Sequence, residues 1–360
     1  MSRQRLRFIA TTFAAFLLAV VAAPTFLAAQ QPAAPAAAAA ASAPQPPYHV
    51  IDHWKIGGEG GWDYVAADPG AHRLYIAHGT EVDVVDTNTG KVVGAITGLH
   101  GVHGVALDTA GKFGYISDGG ANAVVAFDRS ALAITATIPA GTGPDSILFE
   151  PATQTVWAFN GRSSDISVIN PTSNTVIATI PLPGRPEFAI ADGQGTVFDN
   201  LEDKGEIVRI DARSKTITAT WAAGCDSPSG LAFDAAGHRL FPVCDGKKMS
   251  VIDSTTGKLL ANPTIGDGPD AAGWSAAHSL AFASSRDGIL SVIDAAAPGY
   301  PTIESLTTQA GARTMTYDPS TDRVYLITAE LGPRPDPTAA NPRPRPPVLP
   351  GTFTVIVVGR

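Results

Sequence analysis

Seven four-stranded blades around a channel are what this 360-residue sequence predicts, and three observations predict them. A pattern of about 42 residues recurs along most of the chain. Each copy holds four short runs rich in β-branched and aromatic residues, separated by turn residues, which read as strands. The seventh copy lacks its fourth run, while an unassigned run of suitable alternation, His49 to Ile56, precedes the first copy. A last blade closed by both chain termini accounts for the missing run and the spare one together. The fold class is therefore all-β, a seven-bladed β-propeller with its last blade closed by an N-terminal strand.

In chain order, Arg3, Arg5 and Arg7 precede an apolar stretch from Phe8 to about Ala23, with small residues at Ala28 and Ala29. This is the layout of a secretory signal peptide over residues 1–29, too short for a spanning helix. The first cysteine is Cys225, which argues against a lipid-anchored leader. Residues 30–47, mostly Ala and Pro, cannot build a core and read as a tether. The propeller domain follows over 48–360. Copy one comprises Asp63 to Asp68, Leu74 to His78, Val82 to Asp86 and Val92 to Ile96. Copies two and three repeat this from Val105 and Ile147, and the third runs of copies four to six end at Asp211, Asp253 and Asp294. Copy seven has Thr314 to Asp318, Val324 to Thr328, a Pro-rich insertion over 331–350, and Phe353 to Val358.

Composition agrees with this and excludes other classes. Gly 36 and Pro 29 exceed what a helix bundle carries, and 16% charged residues are too few for a coiled coil. Only one long apolar run exists, which excludes a multi-pass membrane protein. Losing the leader takes the formal charge from −8 to −11, because it removes three Arg and no acid. That balance disfavours nucleic acid as a partner. The expected location is periplasmic or secreted, the expected state a monomer, with no transmembrane domain after leader removal.

Register within the repeat points to a site. Five residues before the end of each first run stand Asp63, His103, Asp145, Glu187, Ser229, Asp270 and Arg313, spaced by 40, 42, 42, 42, 41 and 43. First strands of propeller blades are innermost, so these polar side chains should ring one channel mouth. The far ends of the second runs supply His78, Asp118, Asn160, Asn200, Cys244, Ser284 and Thr328. Antiparallel pairing sets each first-run start beside a second-run end, so Asp63 is expected near His78, His103 near Asp118, Asp145 near Asn160 and Glu187 near Asn200. The ring reads as a polar, largely acidic ligand site; taken singly, its Asp and Asn members also read as turn caps. Trp62 and Trp274 lie beside ring positions, to stack on a ligand or to pack between blades. The 331–350 insertion carries eight Pro with Arg334, Arg343 and Arg345, and reads either as a stiff cationic flap over the mouth or as a loose loop. Cys225 and Cys244 flank the fifth hairpin, where an exported chain would join them in a disulfide.

At this point the residues resemble a known family. Gly60-Gly61-Trp62-Asp63-Tyr64, His103-Gly104-Val105-Ala106-Leu107, Pro144-Asp145 with Asn160-Gly161-Arg162, Pro186-Glu187-Phe188, Asn200-Leu201-Glu202-Asp203 and Gly311-Ala312-Arg313-Thr314-Met315 carry the likeness. The repeat resembles the YVTN type, and the chain from about Gly57 to Ala329 resembles the YncE-like periplasmic seven-bladed propellers. The Tyr-Val-Thr/Ser-Asn run stands here as Tyr75-Ile76-Ala77-His78 and Tyr115-Ile116-Ser117-Asp118. The resemblance implies an exported binding or scaffold protein and transfers no catalytic residue.

Two function classes follow. One is a non-catalytic binding propeller for a small molecule, protein or peptide; the sequence has no Gly-x-Ser-x-Gly elbow to set a nucleophile. The other is a metal-dependent, lactonase-like hydrolase or lyase, with Asp145, Asn160, Glu187 and Asn200 as oxygen ligands suited to Ca²⁺ or Mg²⁺, and His78 or His103 shifting the choice toward a transition metal. A quinone or haem enzyme is disfavoured: there is no Cys-x-x-Cys-His and no regular Trp pattern in the blades.

Overall fold

The computed structural model describes residues 46–338, 341, 344 and 346–360. The leader, residues 30–45 of the tether, and Arg343 and Arg345 lie outside the described residues. Within them the chain is entirely strand and turn, in seven antiparallel sheets. Blade one is Trp62–Asp68, Arg73–His78, Glu81–Asp86 and Lys91–Ile96 in sequence order from the channel outward. Blades two, three, four and six repeat that order.

Blade seven is assembled from both ends of the chain. Thr314–Asp318, Arg323–Thr328 and Thr354–Gly359 are joined on the outside by His49–Lys55, with His49 opposite Gly359 and Lys55 opposite Thr354. Tyr48 anchors this closure: its hydroxyl donates to Asp322 at 2.7 Å, its backbone N–H donates to Glu304 at 3.1 Å, and its ring meets Phe282 edge-on at 5.2 Å.

Middle strands are buried on both faces because each blade packs against two others. Thr155–Asn160 is buried throughout, whereas the outer strand Thr216–Ala222 alternates between exposed and half-buried residues. Seven apolar clusters result, each shared by neighbouring blades; the one between blades three and four holds Trp157, Phe159, Val197 and Val208. Third strands end in Asp or Asn for a local reason. Asp86 Oδ1 accepts the N–H groups of Asn88 and Thr89, and Asp128, Asn170, Asp211, Asp253 and Asp294 do the same in their own turns. In blades one and five that turn finishes in Gly90 and Gly257, at φ 68° and 72°. A Cβ on either would drive into Trp54 or Trp221 of the adjoining outer strand.

Blade five departs from the regular pattern. Its third strand is split into Lys248–Met249 and Val251–Asp253. The cause is Pro242 in the strand beside it: Pro242 accepts from the Ser250 N–H at 2.9 Å but has no N–H to return.

Candidate functional site

The ring residues owe their position to a repeated bulge. Strand pairing slips between Trp62 and Val65, Val102 and Val105, Pro144 and Ile147, Pro186 and Ala189, Pro228 and Leu231, and Pro269 and Ala271. Asp63, His103, Asp145, Glu187, Ser229 and Asp270 each fall inside that slip. A bulge releases a residue from the ladder and re-aims its side chain. The released backbone carbonyls are taken up by the preceding blade: Ser117 donates to the Asp145 carbonyl and Asn200 Nδ2 to that of Ser229 at 2.6 Å, and Ser284 likewise donates to the Arg313 carbonyl just before the first strand of blade seven, which has no bulge.

Side chains from different blades therefore meet across the channel end. Asp63 Oδ2 lies 2.6 Å from His103 Nδ1, and Asp145 Oδ1 lies 3.5 Å from the same nitrogen. Arg313 Nη1 donates to Asp270 Oδ1 at 2.9 Å, and Thr314 Oγ1 donates to Asp270 Oδ2 at 2.8 Å. Glu187 stands beside Glu202, which is paired with Arg185. Tyr64, one residue deeper than Asp63, spans the channel from blade one to blade four; its hydroxyl donates to the Glu187 carbonyl at 3.3 Å and its ring meets Phe188 at 5.2 Å. The acidic ring thus rests on an aromatic crossbar.

The ring side chains are largely enclosed, Asp145 being 29% exposed and Asp63 27%. That enclosure raises the cost of charge. Burial lifts Asp63 against the opposing pull of His103. Burial likewise pushes Asp145 to about 6, with Asp63 and Asp270 adding to the rise. Glu187 is pushed to about 9, by burial first and then by the Asp145 and Glu202 carboxylates. The hydrogen bond that His103 donates to the Asp63 carboxylate raises the imidazole's pKa despite its burial. Asp63, Asp145 and Glu187 therefore all hold their protons to higher pH than free carboxyls do, chiefly because they are buried together.

The second-strand residues behave differently. Their backbones pair as expected, Trp62 opposite His78, Val102 opposite Asp118 and Pro144 opposite Asn160, but their hydrogen-bond partners are not the ring side chains. His78 Nδ1 bonds Asp83 at 2.8 Å and its ring stacks on Phe353 at 4.2 Å. Asp118 accepts from the His100 backbone N–H at 3.0 Å. Asn160 Nδ2 donates to Asp165 and Ser167 at 2.6 and 3.0 Å, and Asn200 holds the next blade's bulge. Pairing fixes which backbones are adjacent; the bulge turns the ring side chains away from these companions. Asp145 and Glu187 therefore face the channel while Asn160 and Asn200 are engaged elsewhere. Two groups do gather ligand atoms within 4.8 Å of one another: Asp63, His103 and Asp145 in the ring, and His78, Glu81 and Asp83 within blade one.

Trp62 packs on Phe353 at 5.6 Å and lines a cavity, whereas Trp274 stacks on Phe241 at 5.2 Å between blades. The cavity, of about 470 Å³, lies beneath the Pro-rich insertion and is walled by Trp62, Arg286, Arg313, Leu331, Arg334 and Pro346 among others. The insertion is anchored at its base: Leu331 bridges Val348, and Gly332 N–H donates to the Pro347 carbonyl at 2.8 Å. Cys225 and Cys244 are joined in a disulfide, with Cα atoms 5.9 Å apart. Sequence reasoning missed Tyr64, Phe188 and Arg286 as site residues. Arg286 had a findable signal, since Arg162, Glu202 and Arg286 occupy one repeat position two residues past the second strand's companion residue.

Fold and ring together define a seven-bladed β-propeller with a polar, mainly acidic channel end. No protein-family model matches the chain, and no curated protein does. Solved structures match in fold. A chain of Kuenenia stuttgartiensis hydrazine synthase aligns with a TM-score of 0.66 at 16% identity, over 75% of this chain and 93% of that one. The U3-55K structure aligns at 0.69 and 9% identity, over 86% and 98%, and the RRP9 WD40 repeats at 0.69 and 9%, over 86% and 97%. Identities this low speak for the fold alone. Among the described residues no helix is long and apolar enough to cross a membrane.

Proposed function

We propose that this chain is an exported, YncE-like binding propeller whose acidic channel end captures the ammonium group of a basic small molecule or peptide. Export is supported by the leader-like N-terminus and by the Cys225–Cys244 disulfide. The observation that carries the ligand reading is the convergence of Asp63, Asp145, Glu187 and Asp270 from four blades, whose charges act on one another across the channel end. Carboxylates held together at such cost to their own ionisation are released from it by a bound cation. Tyr64 gives that pocket a floor, and the ring presents no arranged nucleophile with a base behind it.

A second reading, a divalent cation with hydrolase or lyase chemistry, is favoured by one observation: the 4.8 Å gathering of Asp63, His103 and Asp145. An imidazole among two carboxylates suits Zn²⁺ or Mn²⁺ better than Ca²⁺ or Mg²⁺. Such an ion would lower the pKa of a bound water and polarise a carbonyl.

Calorimetric titration of the full chain with a Lys-Gly-Lys peptide, and separately with Zn²⁺, Mn²⁺, Ca²⁺ and Mg²⁺, tests both. The binding reading expects saturable, salt-sensitive peptide binding that falls at least tenfold in Asp63→Asn. Saturation by a metal without peptide binding transfers the site to the second reading, and silence toward both overturns each.

A further inference from the structure

The cavity beneath the Pro-rich insertion carries chemistry opposite to that of the ring. Three arginines line it from three separate elements: Arg286 just past the second strand of blade six, Arg313 at the entry to blade seven, and Arg334 from the insertion. The chain around them is acidic, yet only Arg313 has a carboxylate partner, Asp270, and it reaches that partner through Nη1 alone. Arg334 Nη1 donates to the Pro344 carbonyl at 3.1 Å, and the Arg286 side chain has no hydrogen-bond or ion-pair partner among the described residues. Each guanidinium offers five N–H donors in a planar fork, so most of these donors are unspent. Three cations around one small space repel one another until an anion enters.

The remaining wall is apolar, formed by Trp62, Leu331, Pro346 and Val348. The described part of that wall is held in place: Leu331 bridges Val348, and the Gly351 N–H donates to the Gly58 carbonyl at 2.9 Å. A preformed site loses less freedom on binding. Its size lies within the range of small-molecule pockets.

We propose that this cavity binds an organic monocarboxylate, its carboxylate held by Arg286 and Arg334 and its aromatic or alkyl body laid against Trp62 and Leu331. Arg forks match a planar carboxylate two bonds at a time, and the apolar wall selects a body that inorganic phosphate lacks. The site differs from the ring in charge and shares only Arg313 with its seven positions; Arg286 and Arg334, which hold the carboxylate, are not ring members.

The test is calorimetric titration of the full chain with 3-phenylpropionate, its neutral alcohol 3-phenylpropan-1-ol, and inorganic phosphate, in the wild type, Arg286→Ala and Arg334→Ala. Both arginines are exposed, so melting temperature should hold in the variants and folding should not confound the result. Saturable binding of the acid is expected, at least tenfold tighter than the alcohol or phosphate, with a loss of about tenfold in each Arg variant. Equal binding of acid and alcohol would remove the role of charge. Phosphate binding as tightly as the acid would remove the role of the apolar wall. An undiminished Arg286→Ala, or no saturation by the acid, would overturn the proposal outright.

Discussion

Replacing Asp145 by Asn should make the propeller more stable at alkaline pH. The fold lifts this carboxyl from 3.8 to about 6, so the folded protein holds its proton over a range where the unfolded chain has released it. Below about pH 4 both states are protonated and the residue is neutral in effect. As pH rises from there the unfolded chain ionises first, and the destabilisation grows until the folded group ionises as well, then stays constant. At 1.36 kcal/mol per pKa unit the full effect is about 3 kcal/mol. The side chain is 29% exposed, and screening by water brings the expectation to about 1.5–3 kcal/mol. An unfolding entropy of about 2.1 cal/mol/K per residue makes each kcal/mol worth about 1.5 °C in a propeller of this length. Asp145→Asn should therefore melt about 2–4 °C above the wild type at pH 8, with the difference shrinking to about a third of that at pH 4.5. Differential scanning calorimetry across that range measures it. A variant that melts at or below the wild type at pH 8, or a difference that does not shrink in acid, would refute the reasoning that burial dominates this carboxyl.

Three further outcomes are expected. Asp199 is fully buried in the second strand of blade four, with neither carboxylate oxygen in a hydrogen bond of good geometry, and burial holds it well above its usual range against the weaker pull of the Glu187 backbone N–H. Asp199→Asn should stabilise the protein by about 1–3 kcal/mol above pH 5 and flatten its urea midpoint against pH; an unchanged pH slope would show the carboxyl to be ionised in the fold. Breaking the disulfide with Cys225→Ser and Cys244→Ser releases a 19-residue separation and should cost about 3 kcal/mol, while thiol titration of the unfolded wild type without reductant should find no free thiol. Tyr48→Ala should cost about 3–5 kcal/mol by calorimetry, and Tyr48→Phe about 1, the hydroxyl bond to Asp322 alone; equal costs would mean that the ring on Phe282 contributes nothing.

The blade count and the two-ended closure were legible because they depend on local chemistry. Asp86 and its counterparts mark turns that they themselves stabilise, and the run at His49 had to pair with something. The ring positions were legible too, since the bulge recurs and keeps its members in step. Side-chain direction was not. Trp62 opposite His78 is correct for the backbone, but the bulge sends Asp63 toward His103 of the next blade while His78 turns to Asp83 and Phe353. Contacts across the channel leave no periodic trace at all, so Tyr64 reaching Glu187, 123 positions further along the chain, looks in sequence like any inner-strand aromatic.

Placed side by side, the ring and the Arg-lined cavity explain why Arg313 belongs to both. The strand start that puts Asp63, Asp145, Glu187 and Asp270 at the channel end puts Arg313 at the seventh position of the same ring, where it neutralises Asp270. Its other face lines the cavity with Arg286 and Arg334. Without that pair, an uncompensated Asp270 would lift the neighbouring acids further, since its charge already raises Asp63, Asp145 and Glu187. The Arg313–Asp270 contact is thus the seam between the acidic channel end and the arginine-lined cavity. Arg313→Gln should disturb both sides of it, raising the pH at which Asp145 titrates and weakening anion capture, whereas Arg286→Ala should leave the Asp145 titration where it is. Carboxyl-selective NMR of the two variants separates these outcomes, and an Asp145 titration that follows Arg286 instead of Arg313 would dissolve the seam.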